Sequence, residues 1–398
     1  MPQAEQSLLD EVNAMCGDDR CRRIVLDHCP AIDPATGMRI FNACIHPHDQ
    51  MLLHSLRHHR DAGAAFSQYF GIALQQYSSA HQIMRILFGD AAADIDILDF
   101  ACGYGRLLRF LRLAMPPSKI WASELQADAV AFVEQAFGVQ AFASHADPAQ
   151  FTPGRQFDFI WVASLFSHLP EPLFHAWLAK LISLLAPRGV LCFSVRDAAL
   201  MPAGEARPAS GIAYVEASEN ADLGTDIYGT AYADEAFVRR AVRATNGGER
   251  PLHRLRKALA QEQDLYIVAQ DPHHDLSGLT AFRRGPWGWL DRASLSGSGQ
   301  LRLQGWAASL DDGVVDGVEI DIEGRQHECA TGIARADVSA AFADARLEHA
   351  GWDFHCKLGT DVRAARIAVS ARTARGEKAL LYVGIVRLDE GASANQAP

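Results

Sequence analysis

The segment ILDFACGYGR, residues 97–106, constrains the fold of this chain more than any other part of the sequence. An apolar run at residues 95–99 predicts a short buried strand, and the loop that follows contains Gly103 and Gly105. Glycine lets a backbone turn tightly and lets a ligand approach the main chain. A helical pattern then starts at Arg106. A strand, a glycine-containing loop and a helix in this order predict a βα unit with a ligand beside the loop.

The region downstream repeats this alternation as far as residue 272. Short apolar runs predict strands, and runs with apolar residues at helical spacing predict helices. The predicted strands are residues 95–99, 119–123, 139–143, 157–163, 190–195 and 264–269, and the predicted helices are 106–115, 126–137 and 173–181. This order is typical of an α/β fold, and we expect a Rossmann-like, doubly wound, mainly parallel sheet of seven strands.

The flanking regions differ from this core in pattern. We predict a helical lead segment and possible lid at 1–90, the α/β domain at 91–272, a linker at 273–290, a β-sandwich at 291–390 and a disordered tail at 391–398. The β-sandwich prediction depends on segments that alternate like strands. These are residues 301–310, 316–324, 334–342, 350–358 and 365–376.

Composition excludes several classes of function. The 37 basic and 48 acidic residues give a net charge of −11, which argues against nucleic-acid binding because phosphate neutralisation needs clustered Lys and Arg. No stretch of 18 apolar residues predicts a membrane span, and the acidic N-terminal sequence does not resemble a signal peptide. The chain is therefore expected to be cytoplasmic, and the sequence indicates no particular oligomeric state.

The eight cysteines are scattered along the chain and are expected to be reduced thiols. A cluster near the N-terminus raises the alternative of a zinc site. It consists of Cys16, Cys21, Cys29 and Cys44 with His28, His46 and His48. Its spacings match no C-x2-C pairing, so we expect no metal there.

Two carboxylates at predicted strand ends indicate the class of cofactor. Ligands of open α/β sheets bind beyond the carboxyl ends of the strands, where Asp99 and Glu124 fall. A dinucleotide needs G-x-G-x-x-G, but the third glycine position holds Leu108. Asp99 is unfavourable beside a pyrophosphate and suits a ligand with a cationic amino group, such as S-adenosylmethionine. Glu124, 25 positions later, can accept hydrogen bonds from both ribose hydroxyls.

Residues from about 69 to 270 resemble a class I S-adenosylmethionine-dependent methyltransferase. The resemblance is strongest to the bacterial branch with the motifs LDFGCGxGR and SVFxHL. The matching segments, in order, are LDFACGYGR (98–106), FDFIW (157–161), ASLFSHL (163–169), LLAPRGVL (184–191), YGTAY (228–232) and QDLYIVAQ (263–270). Two positions depart from the family pattern, because Ala101 and Arg188 each replace a usual glycine.

The resemblance implies roles for individual residues. The methionine end of the cofactor would be held by Asp99, Phe100, Ala101, Cys102, Gly103, Tyr104 and Gly105. Glu124 would bind the ribose with Leu125 beside the adenine, Ala146 and Asp147 would meet the adenine edge, and Ala163 and Ser164 would line the floor near the methyl group. Asp147 has an alternative role in initiating the turn before Pro148, and Glu124 an alternative role as a helix-capping carboxylate.

His168 is the candidate general base, because an imidazole can deprotonate an acceptor near neutral pH. This branch of the family commonly has histidine there for any acceptor, so a structural or positioning role is the alternative. The segments at 54–77 and 197–232 are long enough to cover the pocket, and acceptor specificity is expected there.

The C-terminal region resembles β-sandwich modules found beside bacterial glycosyltransferases. Trp306 and Trp352 are either sugar-stacking platforms or core residues. The resemblance implies a small-molecule or glycan acceptor in polysaccharide biosynthesis. Two alternatives remain: a non-catalytic binding or scaffold protein with a degenerate methyltransferase fold in a glycan-assembly complex, and a dehydrogenase.

Overall fold

The structure is a computed structural model that describes residues 3–202, 208–217, 224–245, 249–313 and 315–388. The predicted tail at 391–398 and parts of the segment 197–232 lie outside the described residues. The described α-helices are α1 (Gln3–Gly17), α2 (Asp19–Asp27), α3 (Pro34–Ile40), α4 (Gln50–His59), α5 (Ala62–Phe88), α6 (Leu108–Ala114), α7 (Ala127–Phe137), α8 (Glu171–Ser183), α9 (Glu235–Arg243) and α10 (Ala336–Phe342).

Sixteen strands lie within the same residues. They are β1 (Ile97–Phe100), β2 (Ile120–Glu124), β3 (Gln140–Ala143), β4 (Phe157–Val162), β5 (Leu185–Val195), β6 (Ile212–Val215), β7 (Thr230–Ala233), β8 (Leu252–Leu259), β9 (Gln263–Ala269), β10 (Pro286–Leu295), β11 (Gln300–Ser309), β12 (Gly317–Ile322), β13 (Arg325–Cys329), β14 (Gly351–Lys357), β15 (Ala364–Arg372) and β16 (Lys378–Arg387). No helix of the described residues is long and apolar enough to cross a membrane.

The chain forms two compact units. The terminal unit comprises Met1–His28, Met51–Ile72 and Arg283–Pro398, and the central unit comprises Cys29–Gln50 and Ala73–Phe282. The predicted lead segment is therefore shared between the two units. Residues 273–282 of the predicted linker belong to the central unit. The rest of the predicted linker, 283–290, belongs to the terminal unit, and strand β10 begins within it at Pro286.

The central unit contains the predicted seven-stranded sheet, in the order β3-β2-β1-β4-β5-β9-β8. The first five strands are parallel, and β9 is antiparallel to both of its neighbours. Strands β1 and β9 are buried along their whole length, as expected of apolar strands covered on both faces. The predicted fold class, a Rossmann-like, mainly parallel sheet with a further C-terminal β-domain, is confirmed.

Strand β8 was not predicted, and its sequence explains why. It reads LHRLRKAL, with three basic residues and one histidine among the apolar ones, and it lies at the edge of the sheet. Edge strands tolerate charged residues because one side has no neighbouring strand. The pattern therefore lacks the apolar run that identifies the buried strands.

The terminal unit contains two antiparallel sheets. One has the order β10-β11-β14 and the other β13-β12-β15-β16. Buried side chains from both sheets share one hydrophobic core, including Leu301, Leu303, Val318, Ile320, Trp352, Ile367 and Val369. Two antiparallel sheets around a single core are what a β-sandwich requires.

One predicted strand of this region is wrong. Residues 334–342 were expected to alternate as a strand, but Ala336–Phe342 form helix α10. The segment contains four alanines, the strongest helix former, and only Val338 of the helix is buried. Apparent alternation in a short alanine-rich segment does not distinguish a strand from one or two turns of helix.

Parts of the lead segment pack on the β-sheets within the terminal unit. The backbone N–H of Val383 donates to Ser67 Oγ over 2.7 Å, and the Tyr382 hydroxyl donates to Asp61 Oδ1 over 3.2 Å. The His28 imidazole Nε2 lies 2.7 Å from Ser370 Oγ. These contacts show why Met1–His28 and Met51–Ile72 belong with the C-terminal sheets although more than 200 residues separate them in sequence.

We predict that Gly105→Ala destabilises the central unit more than Gly138→Ala. Both glycines have positive φ, 77° and 66°, so each substitution carries a left-handed strain of about 1–2 kcal/mol. A Cβ at position 105 would lie 2.4 Å from the Phe137 ring, whereas none of the described atoms lies within 4 Å at position 138. Crowding should add about 1–3 kcal/mol at 105. Thermal unfolding of the two variants measures the difference, and equal losses would show that Phe137 moves aside freely.

Candidate functional site

The carboxyl ends of the parallel strands meet at one edge of the central sheet. Asp99 pairs in register with Ala122 of β2 and Trp161 of β4, which brings the loops after β1, β2 and β4 together. Glu124 is the last residue of β2, and Ala163 follows β4 directly. The predicted site residues of these three loops therefore lie at the same edge, where ligands of such sheets bind.

The loop after β1 is shaped by three residues with left-handed backbone. Ala101, Gly103 and Gly105 have φ of 56°, 54° and 77°. Alanine replaces the family's usual glycine at 101 and still adopts the glycine-type conformation, at a cost of about 1–2 kcal/mol. The Cys102 N–H donates to the Ser123 carbonyl oxygen over 3.1 Å, which fastens this loop to the end of β2.

The Glu124 carboxylate accepts hydrogen bonds from three backbone groups, those of Gly103, Leu125 and Gln126. Its Oε2 accepts from the Gly103 N–H over 2.8 Å and its Oε1 from the Leu125 N–H over 2.7 Å. Burial raises the pKa of Glu124, and these donors oppose that rise. A carboxylate has about four acceptor positions, so with three backbone donors about one remains for a ligand hydroxyl. The N–H of Ser144 donates to the Glu124 carbonyl oxygen over 2.8 Å, which brings the loop after β3 beside it.

The Asp99 side chain is buried, with 3% of its surface exposed. Its Oδ2 atom has no hydrogen-bond partner among the residues that the structure describes. Burial raises the pKa of Asp99 to about 8, the negative charge of Glu124 adds to the rise, and Arg106 opposes it. Asp99 is thus largely protonated at neutral pH in the free protein. A cation beside it would lower the pKa and leave the carboxylate ionised.

A network of three polar side chains, Ser164, Ser194 and Gln263, lies at the ends of β4 and β5. The Ser164 N–H donates to Ser194 Oγ, and Ser194 Oγ donates to Gln263 Oε1, each over 2.7 Å. The amide of Gln263 returns a hydrogen bond to Ser164 Oγ over 3.1 Å. Ser164 has a φ of 59°, and this closed network holds it in that conformation. Ser164 is predicted as a site residue from the sequence, but Ser194 is not. Gln263 could have been noticed because it is a polar residue at the start of the mostly apolar strand β9.

His168 is buried, with 2% of its surface exposed. Its Nδ1 lies 2.6 Å from the Gly229 carbonyl oxygen, and because a carbonyl only accepts, this nitrogen carries the proton. The imidazole stacks on the Tyr228 ring at 4.5 Å between centroids, with an interplanar angle of 10°. The Gly229 N–H donates to the His168 carbonyl oxygen over 2.9 Å. His168 is therefore bound on both its main chain and its side chain to residues 228–229.

The remaining predicted residues have simpler surroundings. Asp147 Oδ1 accepts from the Ala149 N–H over 2.9 Å and begins the turn at Pro148–Gln150, and Ala146 beside it is exposed. Burial raises the pKa of the Cys102 thiol well above its usual value, so this thiol is not a ready nucleophile. Phe100 packs in the central core against Phe151 and Trp177.

Comparison with known proteins agrees with this arrangement. Residues 97–189 match the family described as a methyltransferase domain. The matched residues include β1, β2, β4 and the loops with Asp99, Glu124 and Ser164. No curated protein matches the chain.

Several solved methyltransferase structures are similar to part of the chain. One is the 1,6-didemethyltoxoflavin-N1-methyltransferase of Burkholderia thailandensis, with 16% identity, 48% of this chain and 78% of that chain covered, and a TM-score of 0.34. Magnesium protoporphyrin IX methyltransferase of Synechocystis PCC 6803 is 14% identical, with 50% and 86% covered and a TM-score of 0.34. A glycopeptide N-methyltransferase is 16% identical, with 48% and 88% covered and a TM-score of 0.36. At these TM-scores the similarity carries no argument about the function of this chain.

We predict that Asp99→Asn stabilises the free protein, and increasingly so as pH rises. The pKa of Asp99 is raised to about 8 in the folded protein, so between pH of about 4 and 8 the folded state holds a proton that the unfolded state releases. The free energy of unfolding of the wild type therefore falls as pH rises through this window. Asparagine removes that penalty, which is on the order of a few kcal/mol at pH 8.

Thermal unfolding of wild type and variant at pH 5 and pH 8 measures this effect. The variant's advantage in Tm should be larger at pH 8. Asp90→Asn is the matched control, because the Asp90 side chain is fully exposed in its 3.8 Å ion pair with Arg85. A pH-independent difference for Asp99→Asn would show that burial does not shift the pKa of this carboxyl in the free protein.

Proposed function

We propose that the protein is an S-adenosylmethionine-dependent methyltransferase whose cofactor binds at the loop after β1. The observation that carries this proposal is the pair of carboxylates beside that loop, of which Asp99 is buried and Glu124 is half-buried. Asp99 has a buried oxygen without a partner among the described residues, and Glu124 is held in place by three backbone N–H groups. These two hydrogen-bond acceptors suit a ligand with an ammonium group and a ribose diol, and they suit a pyrophosphate poorly.

Each part of the site has a distinct task in this proposal. Asp99 would bind the ammonium group of the cofactor, and Glu124 would accept hydrogen bonds from the ribose hydroxyls. Leu125, Ala146 and Asp147 would contact the adenine, and Ala163 and Ser164 would form the floor on the acceptor side. The cofactor supplies a methyl group that its sulfonium already activates. The protein's work is then to orient the acceptor and to exclude water.

His168 faces the acceptor side of the site in this proposal. Its role as general base stays a prediction, and its geometry supports a positioning role more directly. The protonated Nδ1 holds the Gly229 carbonyl, and the ring holds Tyr228 by stacking. A base role requires proton transfer through Nε2, the other ring nitrogen.

For the acceptor, we propose a saccharide or another small polar molecule in glycan biosynthesis. The support is the resemblance of residues 291–390 to modules beside bacterial glycosyltransferases, which is an argument from analogy. Trp352 is 1% exposed and belongs to the core of the terminal unit, so it offers no face to a sugar. Trp306 is partly buried and packs 5.8 Å from the Phe342 ring. A cytoplasmic location is part of the proposal, supported by eight cysteines that are all free.

The alternative of a non-catalytic scaffold protein is disfavoured by the same carboxylates. A buried, unpartnered Asp99 beside Glu124 destabilises the free protein, because burial opposes the charged form and like charges repel. In a protein without a ligand at this position, no interaction would compensate for this loss of stability. Retention of both side chains in this environment therefore favours a cation-binding site that is in use.

We predict that the wild type binds S-adenosylmethionine and that Asp99→Ala and Glu124→Ala weaken binding by tenfold or more. Removal of a charged hydrogen-bond acceptor from a ligand typically loses about 1.5–3 kcal/mol. Isothermal titration calorimetry on the full chain measures the affinities. Glu134→Ala is the control, because Glu134 is an exposed carboxylate on helix α7, which follows Glu124. Repeating the titration in buffers of different ionisation enthalpy should show proton release by the wild type near pH 7, since the pKa of Asp99 is raised to about 8 before binding.

The outcomes separate the candidate functions. Absence of S-adenosylmethionine binding by the wild type would contradict the proposed methyltransferase and would favour the non-catalytic scaffold protein. Tight binding of NAD, without binding of S-adenosylmethionine, would instead support the hypothesis that the protein is a dehydrogenase. Unchanged affinity in both carboxylate variants would place the cofactor elsewhere.

We predict that methyl groups from labelled cofactor appear on sugar hydroxyls. The measurement is transfer of labelled methyl to a panel of sugar nucleotides and oligosaccharides, with free amines and protein side chains as parallel arms. Labelling of the amine or protein arm alone would overturn the glycan acceptor while leaving the methyltransferase activity intact.

A further inference from the structure

Two histidines and an aspartate meet on the surface of the central unit, next to the loop after β1. His46, His48 and Asp128 each offer a ligand atom, and these atoms all lie within 4.8 Å of one another. His48 Nδ1 lies 3.4 Å from Asp128 Oδ2. The candidate cofactor site does not use any of the three residues. Asp128 lies in the first turn of α7, four residues after Glu124.

The segment that carries the two histidines is fastened to the rest of the central unit. Asn42 Nδ2 donates to the Ala136 carbonyl oxygen over 2.9 Å. Arg109, which is buried, donates to the carbonyl oxygens of Asn42 and Cys44 over 3.2 and 3.3 Å. The histidines are therefore presented by an anchored loop, so little ordering is needed before they act together.

The ring of His46 is held in a fixed orientation. It stacks on the Tyr104 ring at 4.5 Å between centroids with an interplanar angle of 6°, and it meets the edge of the Phe132 ring at 5.1 Å. The backbone N–H of His48 donates to His46 Nδ1 over 3.2 Å. Because Nδ1 accepts in this contact, the proton of a neutral imidazole lies on Nε2. A metal ion at His46 would therefore replace this hydrogen bond, while the ring contacts keep the imidazole in place.

The Asp128 carboxylate is oriented by hydrogen bonds from neighbouring groups, as metal-binding carboxylates usually are. The Tyr104 hydroxyl donates to Asp128 Oδ2 over 2.8 Å, and the Ala129 N–H donates to Oδ1 over 3.0 Å. Each oxygen retains acceptor capacity after these bonds. Tyr104 thus supports both an imidazole, through its ring face, and the carboxylate, through its hydroxyl.

We propose that His46, His48 and Asp128 bind a divalent transition-metal ion of the zinc type. Bonds of about 2.1 Å in a tetrahedral site place neighbouring ligand atoms about 3.4 Å apart. The distance between His48 Nδ1 and Asp128 Oδ2 already has this value, and the other ligand atoms, which lie within 4.8 Å of one another, need to approach by no more than about 1.4 Å. Two imidazoles with one carboxylate favour Zn²⁺ over Mg²⁺ or Ca²⁺, which prefer oxygen ligands. Solvent supplies the fourth ligand, since His48 and Asp128 are exposed.

Such an ion would join three parts of the central unit. It would link residues 46–48 to the first turn of α7, and through Tyr104 it would brace the loop at residues 101–105. The site is independent of the proposed methyl transfer, because none of its ligands is assigned to the cofactor or the acceptor. Its test therefore needs no enzyme activity.

The experiment is calorimetric titration of Zn²⁺ into the full chain, expressed without a histidine tag and treated with a chelator. We expect one equivalent to bind with a micromolar dissociation constant, with no heat from Mg²⁺ at the same concentration. His46→Ala, His48→Ala and Asp128→Asn should each weaken Zn²⁺ binding at least tenfold. Zn²⁺ should also raise the Tm of the wild type and leave that of His48→Ala unchanged.

Two controls guard the ligand assignment. His273→Ala removes an exposed histidine of the same unit outside the cluster and should leave Zn²⁺ affinity unchanged. Cys44→Ser tests the exposed thiol two residues before His46 and should also leave it unchanged. Absence of Zn²⁺ binding by the wild type, or equal binding by His48→Ala, would overturn the proposal. Loss of binding in Cys44→Ser with full binding in Asp128→Asn would show a different ligand set.

Discussion

The candidate site depends on the hydrogen bond from the Gly103 N–H to the Glu124 carboxylate. Parallel pairing of β1 and β2 brings Phe100 opposite Ser123, so the loop after β1 and the end of β2 must share the same space. The left-handed backbone at Gly103 accompanies an N–H that reaches Glu124 Oε2 over 2.8 Å. The contact fixes the carboxylate relative to the loop. Every role proposed for Asp99, Glu124 and Leu125 relies on that fixed relation.

The same arrangement places two carboxylates in a poorly solvated region. Burial and the charge of Glu124 both raise the pKa of Asp99, so the free protein is less stable at neutral pH than one with a neutral residue there. Binding sites often retain such local strain because the ligand relieves it. A ligand ammonium group pairs with the carboxylate and reverses the cause of the shift. In the proposed methyltransferase, the stability lost at Asp99 would be offset when the ammonium group of the cofactor binds.

The sequence predicts those features that depend on one strand and its loop. Asp99 and Glu124 are identified because each ends an apolar run, and parallel strands bring such ends to one edge. Features that depend on tertiary neighbours are missed. Ser194 and Ser164 share a hydrogen-bond network with Gln263 of the antiparallel strand β9. These three residues are far apart in sequence, so no local sequence pattern predicts the network. Helix α10 was mistaken for a strand because seven residues are too few to separate the two periods.

The surroundings of His168 differ from those of Asp99 and Glu124, because they consist of backbone hydrogen bonds and ring stacking. His168 holds residues 228–229 through its imidazole and its carbonyl oxygen, and the Ala231 N–H donates to the Ser167 carbonyl oxygen over 2.8 Å. A histidine there serves this structure whatever receives the methyl group. Its presence therefore says little about the acceptor.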